Sequence, residues 1–125
     1  MNRPTGKTIL LIDDDSRNIF ALSAMLKARG FVVKSATSVK EAIIILEQDE
    51  PINTILMDMM MPEMDGYQAI PLLKNDARYK NIPLIAVTAQ AMAGDREKCL
   101  AAGADAYQSK PIDIDALLQL LNSPT

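Results

Sequence analysis

Thr54-Ile55-Leu56-Met57-Asp58-Met59-Met60-Met61-Pro62-Glu63-Met64-Asp65-Gly66 is the stretch on which the fold turns. Its first four residues form a strand-length run with no polar alternation. Such a run suits a strand covered on both faces, as in a parallel sheet. The run ends on a carboxylate, Asp58. A methionine-rich loop with Pro62 follows, and Asp65-Gly66 can open a helix through Leu73. Pro71 falls too late for a first turn, so that helix is expected to be short or kinked. The whole reads as one strand, an acidic end, a loop and a helix.

The same unit recurs on either side. Thr8–Ile12 is an apolar run ending at Asp13, and Ser16–Arg29 carries Ile19, Leu22, Met25 and Leu26 at helical spacing. Gly30 is placed to end that helix as its C′ residue. Phe31–Ala36 is a weaker strand built on Val32 and Val33. Ser38-Val39-Lys40-Glu41 is a capping box that opens a helix through Ala42, Ile43 and Leu46. Pro83–Val87 runs into Thr88, Asp95–Ala102 is a helix closed by Gly103, and Ala106–Ser109 runs into Lys110-Pro111. Asp113 caps a last helix with Leu117, Leu118, Leu120 and Leu121 as its apolar stripe. Five strands alternating with five helices imply a parallel sheet with right-handed crossovers and helices on both faces. The ends, 1–6 and 123–125, are expected to fray.

The bulk properties narrow the function. A chain of 125 residues suits one domain, read here as residues 1–125 with a core of about 8–121. A net charge of -3 with no basic cluster argues against nucleic-acid binding. The absence of histidine removes histidine acid–base catalysis and histidine metal ligation, and a single cysteine, Cys99, forbids an internal disulfide. The first apolar run meets Asp13 too soon to be a signal-peptide core or a membrane span. A cytoplasmic domain without membrane contact is the expectation.

In open parallel sheets, ligands gather at the carboxyl ends of the strands. Here those ends are Asp13-Asp14-Asp15, Asp58, Thr88-Ala89 and Lys110-Pro111. Each has an ordinary reading alone: a helix cap and solvated turn, a turn aspartate, a β-branched strand end, a solvated lysine. Met59, Met60, Met61 and Met64 suggest a soft-metal site, but thioethers without cysteine or histidine more often pack loops and cores. Cys99 reads as a small packing residue. Convergence on one edge changes the reading for Asp13, Asp14, Asp58, Thr88 and Lys110. Carboxylates brought together repel by about 4 kcal/mol per pair at roughly 4 Å and an effective dielectric of about 20. A hard divalent cation relieves that repulsion, and Mg²⁺ keeps positions open for water and phosphate oxygens. With the metal and the Lys110 ammonium stabilising the transferring group, Asp58 can attack phosphorus and give an acyl phosphate. The Thr88 hydroxyl can donate to a phosphate oxygen.

From Thr8 to Leu121 the chain resembles the receiver domains of two-component response regulators. Ile12-Asp13-Asp14-Asp15 is similar to the family's acidic turn, Asp58 to Gly66 to its phosphoacceptor loop D-x-x-M-P-x-M-D-G, and Thr88-Ala89 and Lys110-Pro111 to its switch threonine and lysine–proline pair. The resemblance implies a flavodoxin-like (βα)5 three-layer sandwich with strand order 2-1-3-4-5. It implies Asp58 as phosphoacceptor, and Mg²⁺ (with Mn²⁺ as substitute) on Asp13, Asp14, Asp58 and the Met60 carbonyl. It also implies Lys110 on the phosphoryl group, a cis Lys110–Pro111 bond, and Thr88 with Tyr107 as the switch pair. The implied donor is the phosphohistidine of a histidine kinase or a histidine phosphotransfer domain, and the implied reader an output domain or downstream protein. Such a domain catalyses its own phosphorylation and dephosphorylation without turning over an external substrate. The segment 88–105 is most similar to receivers of hybrid sensor kinases. Met60 and Gln90 occupy positions that vary in the family and bear on phosphoryl lifetime.

Two other classes stay in view. A haloacid-dehalogenase-like phosphatase would use Asp13 as nucleophile within D-x-D-x-T/V, but residue 17 is Arg, and the Asp58 loop would be unused. A receiver-like binding module that is never phosphorylated would lack an acidic, acceptor or lysine residue, and none is lacking. A flavin-binding protein of this topology would need a Ser/Thr/Gly-rich loop after the first strand, and there is none.

Overall fold

In a computed structural model of the protein, the described residues are 7–48, 51–59, 66–88, 95–109 and 113–122. The element order is β1 (Thr8–Ile12), α1 (Ser16–Lys27), β2 (Val32–Ala36), α2 (Val39–Leu46), β3 (Thr54–Asp58), α3 (Gly66–Lys74), β4 (Leu84–Thr88), α4 (Asp95–Ala102), β5 (Ala106–Ser109) and α5 (Ile114–Asn122). All four strand pairings are parallel, and the order is β2-β1-β3-β4-β5. The flavodoxin-like topology expected from the sequence is the one observed.

Alternation along β1 sorts the core into two layers. Ile9 and Leu11 join Leu56 and Ile85 against Leu22 and Leu26 of α1 and Leu117 and Leu121 of α5. Leu10 and Ile12 face the other way, with Ile55, Met57 and Ala86, against α2, α3 and α4. Cys99 is fully buried in that second layer, as is Met59, so both act as packing residues. Removing so many apolar side chains from water stabilises the sheet, at about 25 cal/mol per Å².

Element ends follow local chemistry. Gly30 takes φ 91° and Gly103 φ 124°, a region that favours glycine. At the first, Gly30 N–H donates to Lys27 O and Phe31 N–H to Leu26 O. At the second, Gly103 N–H donates to Leu100 O and Ala104 N–H to Cys99 O. Both are the paired bonds of a glycine-terminated helix. The Ser38 hydroxyl accepts from Glu41 N–H as expected, but the Glu41 carboxylate accepts from Thr37 N–H, one residue before the capping-box position. Asp113 caps α5 by accepting from Asp115 and Ala116 N–H.

Several boundaries differ from the sequence reading: α1 ends at Lys27 rather than Arg29, and β4 reaches Thr88 rather than stopping at Val87. The second strand starts at Val32, because Phe31 is spent on the helix-ending bond. The fourth starts at Leu84, because Pro83 has no N–H and offers only its carbonyl, to Ile55 N–H. The third extends to Asp58. Pro71 does not cut α3 short: the helix runs nine residues, and Asn75 N–H closes on the Pro71 carbonyl. No helix among the described residues is long and apolar enough to cross a membrane.

Candidate functional site

The carboxyl ends of β1 and β3 are neighbours in the sheet, so Ile12↔Met57 pairing brings Asp13, just past β1, beside Asp58, the last residue of β3. Asp13 N–H donates to Ala36 O at 3.0 Å, which seats the turn beside β2. The Asp13 carboxylate accepts from Asp15 N–H at 2.9 Å, and the Asp15 carboxylate from Arg17 N–H at 2.9 Å. This chain of local bonds opens α1 and fixes the acidic turn. Asp15 is thereby committed to capping. That is the role the sequence allowed it, and it separates Asp15 from Asp13 and Asp14.

Asp58 ends β3, opposite Val87, and Met59 N–H donates to Val87 O at 2.8 Å. The carboxylates of Asp13, Asp14 and Asp58 offer oxygens that all lie within 4.8 Å of one another. Asp13 and Asp58 are each only 5% exposed, whereas Asp14 is open to solvent. Three oxygen donors with one solvent-facing side fit a small hard cation that keeps water ligands. They do not fit a structural zinc site, which favours cysteine and histidine.

Thr88 is the last residue of β4, 4% exposed, one step past the residue facing Asp58 and paired with Ser109 of β5. Tyr107 lies opposite Ala86, two residues down β5 from Ser109, and packs half-buried on the α2–α3–α4 layer. Four of the sequence-selected strand-end residues therefore meet at one edge of β1, β3 and β4, with Tyr107 behind them. Met60, Gln90, Met92, Lys110, Pro111 and Ile112 lie outside the described residues, as do the Lys110–Pro111 bond and most of the 59–66 loop.

A cleft of about 470 Å³ opens beside Asp13 and Asp58, walled on its far side by Asn18, Ala21 and Met25 of α1. Strand ends alone do not point to Asn18 and Ala21. The signal was available, since Asn18 places a polar residue, and Ala21 a small one, on the α1 face that carries Leu22 and Met25.

Comparison with known proteins agrees with this geometry. The sequence profile of the response regulator receiver domain matches residues 9–122. The polar-differentiation response regulator DivK of Brucella ovis is 33% identical over 117 residues, covering 94% of each chain. The receiver domain of the sensor histidine kinase PA1611 from Pseudomonas aeruginosa PAO1, solved with magnesium in its active site cleft, is 35% identical, with a TM-score of 0.82 over 94% of this chain and 95% of that one. The receiver of the Saccharomyces cerevisiae regulator Ssk1, solved with the histidine phosphotransfer protein Ypd1, shares the fold at 22% identity and a TM-score of 0.82, over 93% and 86% of the two chains. With a profile match across nearly its whole length and a strand order to fit, the chain belongs to the family of response regulator receiver domains.

Proposed function

We propose that the chain works as one phosphorylatable switch domain, with Asp58 as the phosphoacceptor. The observation that carries this is the convergence of Asp13, Asp14 and Asp58 within 4.8 Å on the carboxyl edge of the sheet. Asp13, Asp14 and Asp58 would hold Mg²⁺, or Mn²⁺ in its place, with the Met60 carbonyl as a further oxygen. When bound, the cation neutralises the carboxylates and the charge on the transferring phosphoryl oxygens.

The residues of the chain divide the remaining work. A carboxylate oxygen of Asp58 forms the new bond to phosphorus as the bond to the donor breaks. For a phosphohistidine donor the imidazole nitrogen leaves with the electron pair and takes up a proton. Asp13, held by Asp15 N–H, keeps the acidic turn in place while this occurs. Lys110 pairs with the phosphoryl group, and the Thr88 hydroxyl donates to one of its oxygens. Little covalent machinery is needed, since phosphoryl transfer depends on positioning and charge. As Thr88 moves toward phosphate, Tyr107 turns inward, and the surface near Met92, Tyr107 and Ile112 becomes legible to a partner.

The donor class is the phosphohistidine of a histidine kinase or of a histidine phosphotransfer domain. The complex of the similar Ssk1 receiver with Ypd1 supports this. A cytoplasmic location follows from the same reading, and the reader is an output domain or downstream protein. The phosphatase reading loses ground because Asp15, the second aspartate of its motif, caps α1. Acetyl phosphate with Mg²⁺ should add the mass of one phosphoryl group, labile to hydroxylamine and base. Asp58→Asn should abolish the addition. No mass gain in Mg²⁺ with wild-type protein would overturn the proposal.

A further inference from the structure

Asp105 immediately precedes β5, two residues before Tyr107, at the opposite end of the sheet from the acidic cluster. Asp105 holds three bonds at once. Its N–H donates to Leu84 O at 2.8 Å, and its Oδ2 accepts from Leu84 N–H at 2.8 Å. The same Oδ2 accepts from Lys74 Nζ at 2.7 Å. Lys74 Nζ also donates to Ile82 O at 3.1 Å. One carboxylate thus ties the last turn of α3 to the first residue of β4 and to the start of β5.

The lysine stem adds a steric contact. A Cβ at Gly103 would sit 3.1 Å from Ile70 Cγ2 and 3.2 Å from Lys74 Cγ, so the α4–β5 turn rests directly on α3. The Lys74 side chain is 17% exposed and that of Asp105 49%, which marks a pair anchored from the protein side. Charge-assisted bonds of this length hold geometry more firmly than neutral ones.

The position of the clamp gives it a consequence beyond stability. β5 has four residues and pairs on one side only, with β4. A short edge strand that is loose at its start can slip or lift when its far end is pulled. Resting on the phosphoacceptor reading above, we infer that Lys74 and Asp105 are positioning residues for Tyr107. They fix the start of β5, so that a change at Thr88 and Ser109 is expressed as movement of the Tyr107 ring. Without them the same change dissipates in displacement of the strand.

The test follows the Tyr107 ring by NMR in protein labelled on tyrosine, before and after beryllofluoride with Mg²⁺. Wild type should move to one new set of ring signals. In Lys74→Met, which keeps the stem under Gly103, the shift should lose half or more of its amplitude. Asp105→Asn, whose amide oxygen still accepts from Leu84 N–H, should fall between. The Mg²⁺ response of amides beside Asp13 and Asp58 should stay within about twofold of wild type, because the clamp lies at the other end of the strands. A merely structural pair would lower the melting temperature and leave the ring response whole; that result in folded Lys74→Met and Asp105→Asn overturns the inference. If wild type shows no beryllofluoride response at all, the phosphoacceptor reading falls first, and the inference with it.

Discussion

Among the described residues, the two ends of the sheet group their charges differently. At the carboxyl end, three carboxylates crowd within 4.8 Å, two of them buried. At the amino end, carboxylates are matched with cations: Asp105 with Lys74 at 2.7 Å, and Asp76 with Arg78 at 2.9 Å, whose guanidinium also lies 4.7 Å above the Tyr79 ring. Like charges brought together cost stability, and opposite charges held by hydrogen bonds recover some of it. The contrast separates the end shaped for chemistry from the end shaped for support. Strain is expected where ligand binding relieves it.

The largest effect should appear in metal binding. Removing two of the three carboxylates in Asp13→Ala with Asp14→Ala should weaken Mg²⁺ by about a hundredfold. It should also erase the rise in melting temperature that Mg²⁺ gives the wild type. Isothermal titration and thermal melts check both, and unchanged affinity would remove the metal site.

Next in size is a backbone probe of the supporting end. Gly103→Ala places a Cβ on a residue at φ 124°, against Ile70 and Lys74. It should cost about 2 kcal/mol, read by urea unfolding. A cost near zero would mean that the α4–β5 turn can move off α3, and the clamp would lose its seat.

A pair of matched substitutions tests the comparison by sign. Without divalent metal, Asp58→Asn removes one of the crowded charges and should raise stability by about 1 kcal/mol. Asp105→Asn removes a paired charge and should lower it by about 1 kcal/mol. Equal signs would erase the distinction between the two ends.

Much of this contrast was legible in the sequence at one end and not at the other. The strand ends could be found because apolar runs stop abruptly at Asp13, Asp58 and Thr88, and strand periodicity places those residues on one edge. Gly30 and Gly103 were readable as helix stops, since each follows an apolar-periodic segment. The supporting pair was not readable. Lys74 and Asp105 are 31 residues apart, and each looks like an ordinary surface residue until α3 and β5 are placed together. Pro71 does not end the helix, since its missing N–H leaves one bond unmade while α3 still reaches Lys74. The boundary at Leu84 was within reach, because a proline cannot donate to the ladder.

The smallest expected effect is one that acid removes. Hydrogen bonds from Arg78 hold the Asp76 carboxyl below its usual value of 3.8, and the same bond raises the Arg78 guanidinium. A depressed carboxylate contributes stability that is complete above its unfolded value and lost as the pH falls through the folded one. Asp76→Asn should therefore lower stability slightly at neutral pH and converge on wild type as the pH falls below about 4. Denaturant melts across that range would show it. A deficit that persists undiminished into acid would place the pair's role in packing.

The most direct test of the account asks which carboxylate carries the phosphoryl group. Protein treated with acetyl phosphate and Mg²⁺ can be reduced with borohydride, which converts an aspartyl phosphate to homoserine. Peptide mass mapping should then find homoserine at position 58 and at no other aspartate. Homoserine at position 13, with Asp58 unchanged, would contradict the account and favour the phosphatase reading.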